Sequence, residues 1–259
     1  MEDKQLKIHV TNLKKNFGKL EVLKDISMDV HEGEVVVLLG PSGSGKSTMG
    51  RVLCGLLKPD SGTVLLNGIS VYGSKRGRKN LQDRLSIVFQ DYTTSANPRF
   101  RVADILKEGL FVRQRRERKK LNQEDEIRRL FELVGLPYEF ADRFPHELSG
   151  GQLQRVCIAR AVACNPELIL FDEAISSLDA HTQVQVMDLL LDLKEKLGLT
   201  YIFITHDLTS ITYLCDDVLF LYQGRVTEYL PVKNLSETKD TYARKLLESM
   251  IVFDTEEAS

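Results

Sequence analysis

The sequence predicts an α/β fold: a parallel sheet around a phosphate-binding loop, a small antiparallel β subdomain beside it, and a helical lobe inserted into it. Three observations carry this. A continuous apolar run, Val35-Val36-Val37-Leu38-Leu39, leads into Gly-Pro-Ser-Gly-Ser-Gly-Lys-Ser-Thr at Gly40–Thr48 and reads as a buried parallel strand. Further apolar strands at Leu85–Phe89, Leu168–Phe171 and Thr200–Thr205 alternate with helical stretches, the pattern of a parallel sheet. No strand pattern interrupts the block Val102–Ala163, so a wholly helical lobe is expected there.

Ahead of the loop, Leu6, Ile8 and Val10 alternate, as do Ile26, Met28 and Val30; each set predicts a strand with one buried face. His31-Glu32-Gly33 closes the second. Between them Asn16-Phe17-Gly18 reads as a loop whose aromatic either stacks on a base or caps the sheet. In Gly40–Thr48 the glycines turn successive backbone N–H groups toward one anion, and the following helix adds partial positive charge. Met49, Val52, Leu53, Leu56 and Leu57 recur at helical spacing, so that helix opens at Lys46. Lys46 is placed to bridge outer phosphates and the Ser47 hydroxyl to ligate Mg²⁺. Beyond it, Thr63–Asn67 and Ile69–Tyr72 flank Asn67-Gly68, a hairpin signal.

Leu85–Phe89 ends in Gln90. The segment Asp91–Arg101 carries Ser95, Asn97 and Pro98 and reads as a polar loop with no apolar face to dock on its own core. Val102–Arg118 and Gln123–Leu136 read as helices. Leu148-Ser149-Gly150-Gly151-Gln152 then runs into a helix rich in Ala, Ile and Val, a second helix N-terminus suited to an anion, although Gly-Gly before a helix is by itself an ordinary turn. Leu168–Glu173 is an apolar strand ending in two carboxylates at the edge where ligands bind in open α/β sheets. Asp172 suits a carboxylate holding Mg²⁺ through water and Glu173 a proton acceptor for an attacking water; the alternative is a plain connection with acidic caps. Ser176-Ser177-Leu178-Asp179 leads to a helix from about Thr182 to Leu197. Thr200–Thr205 ends in His206-Asp207, where the histidine is either a structural hydrogen-bonding residue or a phosphate contact.

Composition narrows the classes. Lys and Arg number 35 against 37 Asp and Glu, a net charge of −2, so no global basic field points to nucleic acid. The basic runs Lys75–Lys79 and Arg113–Lys120 read as solvated faces. Four cysteines show no C-x-x-C pair and no zinc-ligand spacing, which suits free thiols in a reducing compartment. The N-terminus lacks the pattern of a signal peptide, and no apolar stretch reaches the roughly 18 residues of a membrane span. A cytosolic chain is expected, placed at a membrane only by other proteins.

The ordered set Gly40–Thr48, Gln90, Leu148–Gln152, Leu168–Glu173, Ser176–Asp179 and His206 resembles the ATP-binding-cassette (ABC) ATPases, from Leu6 to Leu247. The resemblance implies a P-loop NTPase (RecA-like) core with the β and helical subdomains already described. It implies a cassette over 6–248 with the lobe at about 92–163, and an acidic C-terminal tail at 249–259. ATP and Mg²⁺ are the implied ligands. By this likeness Phe17 stacks on adenine, and Gly40, Pro41, Ser42, Gly43, Ser44, Gly45, Lys46, Ser47 and Thr48 hold the phosphates. Ser47, Gln90 and Asp172 attend Mg²⁺, and Glu173, His206 and Gln90 serve catalysis. Ser149, Gly150, Gly151 and Gln152 close over ATP on the opposite subunit, and Asp179 communicates across the dimer.

Phe89-Gln90-Asp91, Asn97-Pro98-Arg99 and Pro145-His146-Glu147 are similar to the ATPases of oligopeptide, dipeptide and nickel importers. Ala174 stands where many relatives have Pro, and the chain stops at Ser259 without a cysteine-bearing extension; both lean toward the shorter, nickel-type subunit. The implied partners are two transmembrane permeases, a second ATPase (a homologous heterodimer, or a second copy) and, indirectly, an extracytoplasmic solute-binding protein, at the cytoplasmic face of the cell membrane. A soluble cassette ATPase acting on ribosomes or DNA is the alternative; the second cassette, long coiled coil or zinc-binding cysteines usual there are missing from this sequence. A GTPase or kinase would leave Leu148–Gln152 unexplained, and there is no N-K-x-D guanine motif.

Overall fold

The alternation at Leu6, Ile8 and Val10 opens a strand that runs well past it. The computed structural model describes residues 5–206, 209–245 and 247. In it β1 (Leu6–Phe17) pairs antiparallel with β2 (Leu20–His31). Register shifts around Asn12 and Asp25, both at positive φ and joined by Asn12 Nδ2 donating to Asp25 Oδ1 at 2.8 Å, bend this ribbon without ending it. Asn16 and Phe17 therefore finish β1, contrary to the expected loop, and only Gly18 and Lys19 turn.

Next come β3 (Val35–Leu39) and α1 (Lys46–Leu53), which opens at the expected residue. It closes earlier than the apolar spacing implied: Gly55 at φ +70° turns the chain, and Leu56 is left exposed. β4 (Ser61–Leu66) and β5 (Ile69–Ser70) join through Asn67 and Gly68, at φ 50° and 72°, the positive pair of a two-residue hairpin turn. The basic run from Lys75 lies on α2 (Lys75–Arg84), whose N-cap Ser74 accepts from the Gly77 N–H at 2.9 Å.

After β6 (Leu85–Phe89) the expected polar loop contains a short helix, α3 (Tyr92–Ser95). Asp91 caps it: its Oδ1 accepts from the N–H groups of Thr93 and Thr94, each at 3.0 Å. Ala96 is fully buried and Tyr92 packs against the core. Residues 92 and 96 are one turn apart, so this segment does have an apolar face on its own core. α4 (Val102–Glu117), α5 (Gln123–Leu133) and α6 (Gly150–Ala163) follow, with short 3-10 turns at Tyr138–Asp142 and Pro145–Glu147. Every element between β6 and β7 (Leu168–Asp172) is thus helical. α7 (Ala180–Leu197) ends at Gly198 in the left-handed region. Then β8 (Thr200–Thr205), α8 (Thr209–Leu214), β9 (Asp217–Tyr222), β10 (Arg225–Pro231) and a 3-10 turn at Val232–Glu237 follow, with residues 241–245 again helical.

Two sheets result. One is four-stranded and antiparallel, in the order β2-β1-β4-β5; the other is six-stranded, in the order β10-β9-β3-β8-β7-β6, with only β10 antiparallel to its neighbour. The continuous apolar runs of the larger sheet are explained by its two covered faces. Val35, Val37 and Leu39 of β3 join Ile169, Phe171, Tyr201 and Phe203 in the cluster that extends into the helical lobe. Val36 and Leu38 join Leu170, Ile202 and Ile204 in the cluster that extends into the β subdomain. Ser86 Oγ donates to the Ala161 carbonyl at 3.0 Å and ties the lobe's last helix to β6. Among the described residues no helix is long and apolar enough to cross a membrane. The expected acidic tail at 249–259, and Asp207, lie outside the described residues.

Candidate nucleotide site

The larger sheet delivers its chemistry along one edge. In the order β6, β7, β8, β3, the strands end at Phe89, Asp172, Thr205 and Leu39, and these ends are in register: Phe89 opposite Asp172, Asp172 opposite Ile204, Leu39 opposite Thr205. The residues beyond them are Gln90, Glu173, His206 and Gly40. Four segments far apart in sequence therefore meet where an open α/β sheet binds ligands.

The loop between β3 and α1 is built for close backbone approach. A Cβ on Gly40 would fall 2.1 Å from the Leu221 carbonyl oxygen, so only glycine fits there. Gly45, the N-cap of α1, sits at φ 109° and supplies no side-chain cap, leaving the first-turn N–H groups to an external acceptor. The Gly224 N–H donates to the Ser44 carbonyl at 3.0 Å, so the turn between β9 and β10 backs the loop. Sequence reasoning missed this support; the Gln223-Gly224 pair between two strand patterns was the available signal.

Lys46 is almost wholly buried, and its Nζ donates to the carbonyls of Gly40 at 2.7 Å and Pro41 at 3.1 Å. Burial holds its ammonium below the usual lysine range, opposed by the negative charge of Glu173 and Asp172. Ser44 Oγ is buried with no hydrogen-bond partner among the described residues. An uncapped helix start, an orphaned hydroxyl and a buried ammonium together fit a polyphosphate. Asp172 is half-buried; burial first, and then Glu173, raise its carboxyl above the ordinary range against the pull of Arg51 and Lys46. A carboxylate held in that state fits a divalent cation, which removes the penalty on its charge, and exposed Ser47 at the start of α1 supplies a neutral oxygen. Arg51 is a further residue the sequence reading missed.

Glu173 has φ +49°, held by its N–H donating to the Ile204 carbonyl at 2.8 Å and by its own carbonyl accepting from Ser176 Oγ at 2.9 Å. Its Oε1 lies 3.6 Å from His206 Nδ1. The structure thus brings Lys46, Asp172, Glu173 and His206 into one electrostatic neighbourhood. Gln90 stands exposed just beyond β6. Phe17 is half-exposed at the end of β1 with Lys15 Nζ 5.6 Å above its ring, and Lys15 is held by Asp60 at 2.8 Å.

Ser149–Gln152 are elsewhere. Ser149 caps α6: its Oγ accepts from the Gln152 N–H at 3.3 Å, and Gln152 Oε1 accepts from the Ser149 N–H at 2.9 Å. Ser149, Gly151 and Gln152 line a separate cleft of about 620 Å³ with Leu136, Arg155 and Thr182. Among the described residues no hydrogen bond or ion pair joins them to Lys46, Asp172, Glu173 or His206. A Cβ on Gly150 would meet the Tyr92 hydroxyl oxygen at 2.8 Å, and one on Gly151 would meet Thr182 Cγ2 at 2.5 Å. Asp179 caps α7, its Oδ1 accepting from the Thr182 N–H at 3.0 Å and its Oδ2 from Thr182 Oγ1 at 2.7 Å; these bonds hold its carboxyl below the usual range. All four cysteines are free thiols, and burial followed by Asp172 pushes Cys54 up to about 12.

A family profile described as "ABC transporter" matches residues 23–176. The oligopeptide transport ATP-binding protein OppF of Bacillus subtilis is 41% identical over 250 residues, covering 94% of this chain and 82% of that protein. The metal-staphylopine import system ATP-binding protein CntF of Staphylococcus aureus is 40% identical over 254 residues, covering 95% of this chain and all of that one. Among solved structures, cbiO1 of Clostridium perfringens, described as part of the ABC transporter complex cbiONQ, superposes with a TM-score of 0.81 at 28% identity, over 98% of this chain and 100% of that one. The dimeric post-hydrolysis cassette MJ0796, bound to ADP and Pi, gives 0.76 at 30% identity over 87% and 98%.

Proposed function

The chain belongs to the ABC transporter family, and from that premise we propose how its residues divide the work of an importer's ATPase subunit. It is the ATP-binding and ATP-hydrolysing motor of an import system for peptides or metal chelates, working with transmembrane permease components. The relatives are import subunits, so action on ribosomes or DNA is not favoured.

Lys46 and the N–H groups of Gly40–Thr48 hold the phosphates of ATP, and Phe17 stacks on the base. Ser47, Asp172 and Gln90 hold Mg²⁺, which supplies charge neutralisation on the phosphate oxygens. Glu173 accepts the proton of the attacking water, and His206, beside its carboxylate, contacts the γ-phosphate. The cassette runs over 6–248, with the lobe at about 92–163.

One observation carries the dimeric reading: Ser149, Gly151 and Gln152 line a cleft that holds none of the phosphate-loop residues. A second subunit's ATP is the ligand for which they are available, so each site needs two chains, and Asp179 lies beside that junction. The partner is a homologous ATPase or a second copy. Analytical ultracentrifugation of Glu173→Gln with ATP and Mg²⁺ tests this. A species that stays monomeric at high concentration, alone and with candidate partner ATPases, rules it out.

The permease docks on the cytoplasmic side of the membrane, with a short helix beside Gln90–Arg101 and Phe111–Arg116. Phe111 is 64% exposed, and with Leu85 and Val112 it lines a groove of about 830 Å³ rimmed by Lys79, Arg115 and Arg118. Rim charge speeds docking more than it strengthens it, so the rate falls with salt. Cysteine pairs between Gln90–Arg101 or Phe111–Arg116 and the permease should cross-link in an ATP-dependent yield. Cross-links confined to the sheet face at Val64–Tyr72 would contradict the assignment.

A further inference from the structure

Gln154, on α6, is fully buried, and neither its Nε2 nor its Oε1 has a hydrogen-bond partner among the described residues. A buried amide in that state bears the desolvation penalty of both groups, so it calls for a reason. Its place on the helix supplies one. Residues 150, 154 and 157 form one stripe of α6, and the segment following Gln90 reaches both ends of that stripe. The Tyr92 hydroxyl lies against Gly150. Cys157 Sγ donates to the Tyr92 carbonyl at 3.8 Å and lies 3.6 Å from Ser95 Oγ. Arg160 Nη1 then donates to the Ser95 carbonyl at 2.6 Å. Polar contacts between α6 and α3 are made at 157 and 160, while the amide between 150 and 157 is left unpaired.

We propose that Gln154 is a positioning residue for ATP hydrolysis: in the nucleotide-bound arrangement its amide pairs with the Tyr92–Ala96 segment and ties Gln90 to the N-terminus of α6. An amide suits this because it donates and accepts at once. The penalty it bears in the present arrangement favours any alternative in which both groups are satisfied, and nucleotide needs only to bias that equilibrium. The inference rests on the role given to Gln90 above. ATP affinity, measured separately, keeps failure of the nucleotide site distinct from failure of this link.

The test is Gln154→Met, of similar volume and without the amide. Hydrogen exchange is followed in the full chain, and hydrolysis in the assembled transporter. The expected result is a nucleotide-free protein at least as heat-stable as wild type, with unchanged ATP affinity. ATP-dependent slowing of exchange across 91–96 should be about tenfold smaller and kcat about tenfold lower, the size of one net buried hydrogen bond. Gln154→Glu should regain the slowing as pH falls, because only the protonated carboxyl both donates and accepts. Wild-type hydrolysis and exchange in the Met variant overturn the proposal; the amide is then filler, or is satisfied by the same buried water in both arrangements. A parallel loss of ATP affinity overturns it as well. If the Met variant does not fold, a Glu variant whose exchange at 91–96 is indifferent to pH does the same.

Discussion

Glu173→Gln separates binding from chemistry, and the structure sets the size of each effect. The replacement is isosteric. The backbone that holds residue 173 at φ +49° is fixed by bonds from its own N–H to Ile204 and to its own carbonyl from Ser176, none of which involves the carboxylate. The fold should therefore survive the replacement, which thermal melts would check. What is lost is the proton acceptor, and with it roughly 10²–10⁴ in kcat, or about 3–5 kcal/mol of barrier. Lys46→Ala does the opposite. It removes the buried ammonium and both of its bonds to Gly40 and Pro41, so ATP binding itself should collapse. Titration with a fluorescent ATP analogue and a phosphate-release assay, run on both variants, read the two quantities independently. Equal losses of ATP affinity in the two would refute this division of roles.

His206→Ala should follow Glu173→Gln, with hydrolysis lost and binding kept, as the same two assays would show. Asp172→Asn should stabilise the nucleotide-free protein near neutral pH. Its carboxyl is raised in the folded state, so the protonated form favours folding at low pH and that contribution is lost as pH rises through the folded pKa; the gain from Asn should accordingly shrink in thermal melts as pH falls. Asp179→Ala removes a cap and should lower the midpoint of a denaturant titration. Its carboxyl is lowered in the folded state, so wild type itself should lose this contribution as pH falls through that depressed value. Gly40→Ala drives a methyl into the Leu221 carbonyl and should abolish ATP binding while lowering the melting temperature; a variant that binds ATP normally would show that the loop can shift.

The larger sheet was legible because a strand covered on both faces must be apolar at every position. Val35–Leu39 and Leu168–Phe171 therefore announce themselves without context, and the residues just beyond their ends follow by position. The departures lie where a few polar residues decide. β1 continues through Asn12 and Asp25 because each accepts positive φ and they bond to each other, a cross-strand event that alternation within one strand does not reveal. α3 is four residues long, too short for periodicity, and depends on the Asp91 cap and on apolar positions 92 and 96. The support of the phosphate loop by Gly224 joins residues about 180 apart in sequence, beyond the reach of any local pattern. The strand ends and the loop between β3 and α1 were legible by spacing; what holds them was legible only where it was local.

The capping box at Ser149 bears on the proposal that one chain serves another chain's ATP. Gln152 is committed to its own helix, its Oε1 on the Ser149 N–H and its backbone N–H on the Ser149 oxygen. Among the described residues, Ser149 Oγ is committed only as an acceptor. A serine hydroxyl has one proton to give and two lone pairs, and the cap uses a lone pair. The proton stays free and, with the helix dipole behind it, suits an anion arriving from outside. Cap and ligand contact are therefore compatible on one oxygen, and binding need not undo the helix end. The same bonds fix the orientation of that oxygen before any partner arrives, so closure of the proposed dimer spends little on ordering it. Packing of Tyr92 on Gly150 and of Thr182 on Gly151 makes the position of the cap depend on the segment after Gln90 and on the start of α7, the helix that Asp179 caps. In the proposed dimer, a hydroxyl set by its own helix, with that helix set by two segments that follow carboxyl ends of the sheet, would let a change at one chain's nucleotide be felt at its neighbour's.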